Sequence, residues 1–241
     1  MWYLFNHLVS PKRFFQFANN MRPWLTLLFF LSFSYGLIGG LIFAPADYLQ
    51  GDGFRIIYVH VPAAFLSLLI YGIMAGAAIL GMTFRLKMAF SVIRHSAPIG
   101  AGFTLLALLT GSLWGKPMWG TWWIWDARLT SELILLFLYI GILLFQSAIS
   151  QKKSGDKALA ILILVGVIDI PIIHYSVYWW NTLHQGATLS VFTPSKIASS
   201  MLYPLIAMII AFLTYYTLVL FLRINIELAM YQPHFLLKDT K

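Results

Sequence analysis

Five of the nine tryptophans of this 241-residue chain lie within twelve residues. They are Trp114, Trp119, Trp122, Trp123 and Trp125. An acid, Asp126, and a base, Arg128, follow the last of them. Indole rings are rigid, flat and largely apolar, so such a group suits a large, planar, apolar ligand. The alternative is an aromatic belt at a membrane surface, which explains one or two tryptophans at a span end more readily than five in one segment.

The charged residues beside the indoles allow more than one interpretation. Arg128 has a forked guanidinium that can hold a ligand carboxylate through two hydrogen bonds, but it can also simply pair with Asp126 or Glu132. Glu132 can pair with Arg128 or cap the helix that starts near it, and it is also a candidate to support the ligand site. Haem combines a flat apolar body with carboxylate arms. The segment therefore indicates haem as the ligand if Arg128 is free to meet a carboxylate.

Two histidines stand on either side of the tryptophans in sequence. A protein-bound haem iron usually takes imidazole as an axial ligand. His60 lies at the start of a predicted helix, whose positive end keeps an imidazole neutral and available to a metal. His184 follows a second aromatic stretch, 178–183. Each can alternatively be an interfacial hydrogen-bonding residue, but taken with the tryptophans we favour both as iron ligands.

The elements that must position these residues are membrane spans. The chain is 60% hydrophobic and 10% charged, with a mean hydropathy of +0.81, which excludes an ordinary soluble domain or a disordered chain. Its long unbroken apolar runs do not alternate as barrel strands do. The sequence predicts an all-α polytopic membrane protein with six transmembrane helices. The predicted spans are 23–43, 61–84, 97–114, 129–149, 158–177 and 201–222.

The distribution of basic residues predicts the orientation. Twelve of the 16 lysines and arginines lie in segments on the side of the N-terminus, and four lie on the other side. The positive-inside rule then places both termini in the cytoplasm and the loops 44–60, 115–128 and 178–200 outside. The net charge of +8 is explained by topology and gives no support for nucleic-acid binding. We interpret residues 1–241 as one membrane domain with an outward tryptophan-rich loop, 114–128.

The chain lacks one residue type and one sequence motif, and these two absences exclude further functions. The chain has no cysteine, which excludes disulfides, thiolate metal sites and cysteine catalysis. It also has no GxxxxGK[ST] motif, so the sequence predicts no ATPase activity of its own.

The segment 119–126, WGTWWIWD, matches the WGxxWxWD signature of the WWD-domain haem-handling proteins. With six predicted spans and 241 residues, the whole chain resembles the small CcmC family of cytochrome c maturation proteins. That family carries one histidine in its first outer loop and one in its third, and His60 and His184 match those positions. The resemblance implies that these two side chains hold haem iron from opposite faces.

The resemblance also implies a function and a set of partners. A CcmC-like protein is a carrier and assembly factor of the bacterial cytoplasmic (inner) membrane, not an enzyme, and at most assists a covalent step. Its transported ligand is haem b, which it presents at the periplasmic face to CcmE, a membrane-anchored haem chaperone. Its further partners are the ABC transporter subunits CcmA and CcmB and the small membrane subunit CcmD.

Other polar residues are weaker candidates for the site. Arg55 can meet a haem propionate, or it can pair with Asp52 or hold its loop at the lipid headgroups. Lys116 and Lys196 are less favoured for the same role. Asp169 lies inside the fifth span, where an acid is costly. It either supports the haem site or makes a buried hydrogen bond to a neighbouring helix.

The fifth span has two further features of interest. Pro171 is predicted to break the helix next to Asp169. His174 lies near the outer end of the span and is a possible support for the site. The remaining histidines, His7, His95 and His234, are interpreted as solvated residues of cytoplasmic tails and loops.

Three other functions are compatible with parts of the pattern. An electron-transferring cytochrome b with two histidine ligands is the first, although such histidines usually lie within helices. A secondary transporter with Asp169 and His174 as a proton relay is the second. A scaffold subunit without a ligand is the third.

Overall fold

The computed structural model describes residues 10–148, 152–184 and 197–231, and these form a bundle of helices. We name the α-helices α1 (Pro11–Ile38), α2 (Ile57–Phe84), α3 (Lys87–Trp119), α4 (Ala127–Ala148), α5 (Lys152–Gly166), α6 (Asp169–Trp179) and α7 (Ser199–Tyr231). A π-helical turn, Gly39–Phe43, extends α1, and a 3-10 turn, Asp52–Ile56, leads into α2. Six segments are long and apolar enough to cross a membrane. The predicted all-α, six-span fold is therefore confirmed.

The fifth span is a broken helix made of α5 and α6. Val167 and Ile168 form a turn between the two, and Asp169 is the first residue of α6. A regular helix would need the N–H of residue 171 to donate to the carbonyl of Val167, but Pro171 has no N–H. The carbonyl of Val167 instead accepts from the N–H of Ile170, at 3.1 Å. The predicted break at Pro171 is confirmed.

The helices are longer than the predicted spans. Only Arg85 and Leu86 separate α2 from α3, so most of the segment between the second and third predicted spans, 85–96, is helical. At its other end, α3 continues to Trp119 and stops where Gly120 adopts a left-handed conformation, with φ of 78°. The tryptophan-rich segment 114–128 thus begins with the last turns of α3, and its loop proper covers 120–126.

The core lies between α2, α3, α4 and α7. Tyr58, Tyr71 and Tyr139 are fully buried there. The hydroxyl of Tyr58 donates to the carbonyl of Met201, which fixes the start of α7 beside the start of α2. The hydroxyl of Tyr139 donates to the carbonyl of Ser67 and joins α4 to α2.

An ion-pair network joins α3, α5 and α7 at the end of the bundle opposite Tyr58. Arg94 of α3 contacts Asp156 of α5 at 2.8 Å and Glu227 of α7 at 3.0 Å. His95, predicted to be a solvated loop residue, lies instead in α3 because the helix begins at Lys87, and its Nε2 is 2.9 Å from Glu227. His7, His234 and Lys196 lie outside the described residues.

Candidate functional site

His60 lies in the first turns of α2 and packs against α3. Its Nδ1 is 3.0 Å from the carbonyl oxygen of Ala107 and 3.0 Å from Oγ1 of Thr110. A carbonyl oxygen can only accept, so Nδ1 carries the proton and donates. The hydroxyl of Thr110 donates to the carbonyl of Leu106 and keeps a lone pair for the imidazole. Nε2 of His60 is therefore the unprotonated nitrogen, in the tautomer that a metal requires.

The close approach of this imidazole depends on a glycine. A Cβ atom built on Gly111 would lie 3.1 Å from Cε1 of His60, which is tighter than ordinary van der Waals contact. Ala107, Thr110 and Gly111 stand at i, i+3 and i+4, so α3 presents them on one face. This face of α3 holds the His60 ring in one orientation.

His184 lies beyond the end of α6 and meets His60 from the other side. The two imidazole centroids are 6.4 Å apart, and the ring planes are inclined by 47°. A local turn, in which the N–H of His184 donates to Oγ1 of Thr182 at 2.8 Å, positions the backbone. Nδ1 of His184 is buried and has no hydrogen-bond partner in the described part of the chain. The imidazole therefore retains unused capacity to bind.

The electrostatic surroundings keep His184 neutral. Burial, together with the nearby Arg128 guanidinium, lowers the pKa of His184 to about 4, and Asp126 partly opposes this shift. At neutral pH the ring is therefore an uncharged imidazole with a free lone pair, which is the form that binds metals.

The spacing of the two imidazoles matches that of two ligands on one metal. Metal–nitrogen bonds of about 2.0–2.1 Å, with about 1.1 Å more from each nitrogen to its ring centre, separate two trans imidazole centroids by about 6.3 Å. The measured separation is 6.4 Å. His60 and His184 are thus close enough together to form a candidate pair of metal ligands.

Two of the five tryptophans lie against this histidine pair. The ring of Trp114 meets His60 edge to face at 5.7 Å between centroids, and its Nε1 donates to Oε1 of Gln50 at 2.9 Å. The ring of Trp119 lies 5.1 Å from that of His184. Both belong to the last turns of α3, so one helix supplies two indoles to the site.

The other three tryptophans belong to the loop proper. Trp122 and Trp125 are 54% and 75% exposed, so their faces are free to meet another molecule. Trp123 is half-buried, and its ring meets that of Trp125 edge to face at 5.4 Å. Its Nε1 is buried without a partner among the described residues. Lys116 lies over the ring of Trp122 and donates to the carbonyl of Gly120.

Asp126 and Arg128 connect the loop to α4 and α6. Oδ1 of Asp126 accepts from the N–H of Leu129 at 2.8 Å, so Asp126 caps α4, while its Oδ2 is buried without a described partner. Arg128 donates to the carbonyl of Ile173 at 2.8 Å. Within the described ranges Arg128 forms no ion pair with Asp126 or Glu132, and its remaining N–H groups are available to a ligand.

Glu132 lies deeper in the same site. It is buried, and its Oε1 accepts from the hydroxyl of Ser67 at 2.7 Å. The predicted cap and the predicted pair with Arg128 are wrong, because Asp126 caps α4 and Arg128 donates to Ile173. Glu132 instead lines a cavity of about 30 Å³ together with both histidines and Arg128. This volume holds about one water molecule.

Arg55 approaches from the first loop. It pairs with Asp52 at 3.0 Å and donates to the carbonyl of Gly40 at 2.8 Å. The predicted alternative, pairing with Asp52, is therefore confirmed. The guanidinium has five N–H donors, so these contacts leave capacity for a ligand.

Asp169 and His174 are not brought together. Asp169 is 8% exposed, and its Oδ2 has no partner in the part of the chain that is described. Tyr71, whose hydroxyl is also buried without a described partner, is close enough to Asp169 to interact electrostatically. His174 is exposed and packs on Tyr175, with 4.8 Å between the ring centroids. His174 makes no described contact with the histidine pair, and its supporting role stays a prediction.

Comparison with known proteins places this chain in a family. The family model CcmC, described as Heme exporter protein C, matches residues 4–235. The chain belongs to the CcmC family. The match includes both histidines and all five tryptophans of the site.

Individual relatives align with this chain over most of their length. Heme exporter protein C of Haemophilus influenzae is 48% identical over 228 residues, which cover 95% of this chain and 93% of that protein. Heme exporter protein C of Escherichia coli K12 is 53% identical over 188 residues, or 78% and 77% of the two chains. A putative cytochrome c biosynthesis ccmC-like mitochondrial protein of Marchantia polymorpha is 52% identical over 169 residues, or 70% and 71%.

The residues that orient the site of this CcmC-family chain were not predicted from the sequence. Thr110 and Gly111 hold His60, Gln50 holds Trp114, and Ser67 holds Glu132. One signal was available, since a threonine and a glycine stand together on an otherwise apolar span. Nothing in the sequence told which helix they would face.

Proposed function

We propose that this protein is a haem carrier of cytochrome c maturation, which binds one haem between His60 and His184. The observation that carries the proposal is the 6.4 Å separation of the two imidazole centroids, on a pair whose first member has a bare Nε2. The names of the relatives, Heme exporter protein C, support haem as the cargo.

The residues around the histidines fit a haem. Trp114 and Trp119 supply flat faces next to the imidazoles. Arg128 and Arg55 supply guanidinium groups for the two propionates, because both keep N–H donors beyond their present contacts. The buried carboxyl group of Glu132 lines the same cavity as the two histidines. Haem supplies the iron chemistry, and the protein contributes ligation, charge compensation and shielding from water.

Loading of the site requires movement. The cavity of about 30 Å³ is far smaller than a macrocycle. His184 lies beyond the end of α6, outside any helix, whereas His60 is fixed in α2 by two contacts with α3. We therefore infer that the segment carrying His184 moves outward to admit haem, while His60 stays in place.

The exposed indoles suggest how haem leaves. Trp122 and Trp125 are exposed residues of the loop proper, which follows along the chain the two indoles that contact the histidines. We infer that they present one porphyrin edge to a membrane-anchored chaperone of the CcmE type, and that CcmA, CcmB and CcmD complete the assembly. The chain acts as a carrier and assembly factor and at most assists covalent attachment to the chaperone.

The membrane setting completes the proposal. The basic residues of the chain favour the end with Arg94 and His95 as the cytoplasmic end. The histidine pair then faces the periplasm of a bacterial inner membrane, with both termini in the cytoplasm. This arrangement differs from an electron-transferring cytochrome, in which the haem lies within the bundle.

Purification of the full chain with its native haem tests the proposal. We expect one haem per chain in the unaltered protein, and loss of haem or a changed absorption spectrum in His60→Ala and His184→Ala. His174→Ala is the matched control, because it is exposed and makes no described contact with the site. Colourless protein, or identical spectra in all variants, would refute the proposal.

A second arm of the same experiment separates a carrier from a cytochrome. Trp122→Ala with Trp125→Ala should leave haem bound but slow its transfer to the purified soluble domain of a CcmE-type chaperone. Transfer at the unaltered rate would contradict the role given to these indoles.

A further inference from the structure

A second cavity lies away from the histidine site, between α1, α3 and α7. Its volume is about 430 Å³, within the range of ligand-binding pockets. Both α1 and α3 pack on α7, which forms the floor of the cavity while the other two helices form its walls. We call this cavity the lateral groove. The three helices that line it, α1, α3 and α7, all belong to membrane-spanning segments.

The walls of the lateral groove are aromatic and apolar. Phe29 and Phe33 stack on each other at 5.4 Å on the α1 side. Phe103 of α3 meets Phe212 at 5.3 Å and Tyr215 at 6.1 Å on the floor. Gly102 lies among them, and a Cβ atom added there would meet nothing within 4 Å. The groove is therefore open space next to Gly102.

One end of the lateral groove carries a cation. Arg223 of α7 lines the groove, is exposed and has no ion-pair partner in the described part of the chain. It lies one turn before Glu227, which contacts His95 near the start of α3. This is the end of the bundle opposite the histidine site, whose indoles belong to the end of α3.

The length of the groove corresponds to one leaflet. Phe212 and Arg223 are eleven residues apart on α7, which is about 16 Å at about 1.5 Å per residue. Half of a hydrocarbon core of about 30 Å is about 15 Å. The groove thus has a positive charge at headgroup level and an apolar channel one leaflet deep.

We propose that the lateral groove is a binding site for an anionic phospholipid. The phosphate binds Arg223, and one acyl chain lies along Phe103 and Phe212. A porphyrin is less suitable, because the residues that line the groove include no histidine, methionine or cysteine, and the ring of Tyr215 packs on Phe29 and Phe103. This inference does not depend on the proposed haem function.

Native mass spectrometry of the full chain, reconstituted with phosphatidylglycerol or phosphatidylethanolamine, tests the proposal. We expect one phosphatidylglycerol to remain bound to the unaltered protein, with at least tenfold less phosphatidylethanolamine retained. Arg223→Gln should reduce retention of phosphatidylglycerol at least tenfold by removing the charge. Gly102→Leu should abolish it by filling the groove.

Two controls separate this site from general lipid adhesion. Arg22→Gln removes an exposed arginine of α1 that does not line the groove, and Gly141→Leu adds a side chain to open space on α4. Both should retain phosphatidylglycerol as the unaltered protein does. Equal retention in Arg223→Gln and Arg22→Gln, equal binding of both lipids, or binding of haem instead of lipid would overturn the proposal. Arg223→Gln leaves packing intact, so it decides the question even if Gly102→Leu does not fold.

Discussion

His60 donates a hydrogen bond from Nδ1 to the main-chain carbonyl of Ala107 across a distance of 3.0 Å. The main-chain carbonyl of Ala107 therefore determines which nitrogen of His60 carries the proton. Substitution of the Ala107 side chain does not remove that carbonyl. The arrangement directs the unprotonated Nε2 of His60 away from α3. It follows that the orientation of the first proposed iron ligand is a property of the α2–α3 interface.

Thr110→Val should weaken haem binding without removing it. The substitution keeps the shape of the side chain but deletes the second acceptor for Nδ1 of His60, while the Ala107 carbonyl remains. Loss of one such supporting contact typically lowers metal affinity by about tenfold or more. Haem titration of the purified protein measures the change. Thr104→Val is the control, because its hydroxyl bonds only within α3 at Gly100, and an equal loss in both variants would contradict the account.

Gly111→Val should displace the His60 imidazole. A Cβ atom alone would stand 3.1 Å from Cε1 of His60, and the two methyl groups of valine add further crowding. We expect at least part of the bound haem to become high-spin, as read from its absorption spectrum. Gly141→Val, at a position with open space around it, should leave the spectrum unchanged. A wholly low-spin Gly111→Val protein would show that the ring tolerates the shift.

The ligand-free protein should hold His184 neutral well below neutral pH. Burial lowers the pKa of His184 to about 4, compared with about 6.5 for an unstructured histidine. Because the folded pKa is the lower one, this group costs stability as pH falls from about 6.5 towards 4, when the unfolded chain binds the proton first. Histidine-selective NMR titration gives the midpoint directly.

Arg128 provides the internal check on that pKa. Its positive charge lowers the pKa of His184, so Arg128→Gln should raise the NMR midpoint. A midpoint near 6.5 in the unaltered protein would mean that His184 is not buried as described. A lower midpoint in Arg128→Gln would contradict the electrostatic assignment.

Asp126→Ala should destabilise the start of α4. Oδ1 of Asp126 accepts from the N–H of Leu129, and loss of such a cap costs about 1 kcal/mol. A lower thermal unfolding midpoint in detergent measures this cost. Asp126→Asn keeps a capping oxygen and should be close to the unaltered protein in stability. If the two variants unfold at the same temperature, the cap contributes nothing measurable.

The parts that the sequence predicted are those governed by composition along the chain. Apolar runs locate six spans, and Pro171 locates the break in the fifth, because span length and proline chemistry are local properties. The gathering of His60, His184 and Trp119 at one end also follows from span order, since the three segments leave the membrane on the same side.

The contacts that orient the site could not be predicted in the same way. The carbonyl of Ala107 beside His60, the carbonyl of Ile173 beside Arg128 and the hydroxyl of Ser67 beside Glu132 each join two different helices. Such pairs depend on how far one helix is displaced and rotated against the next. The extension of α3 to Trp119 was missed because apolar composition marks the membrane, whereas helices continue beyond it until a residue such as Gly120 ends them.

Electron paramagnetic resonance of the purified haem complex, with the iron oxidised, tests the central claim most directly. We predict a low-spin signal of two axial imidazoles in the unaltered protein. His60→Gly and His184→Gly should each give high-spin iron, and added imidazole should restore the low-spin signal. An unchanged low-spin signal in both variants would contradict the assignment of His60 and His184 as the two ligands of one iron.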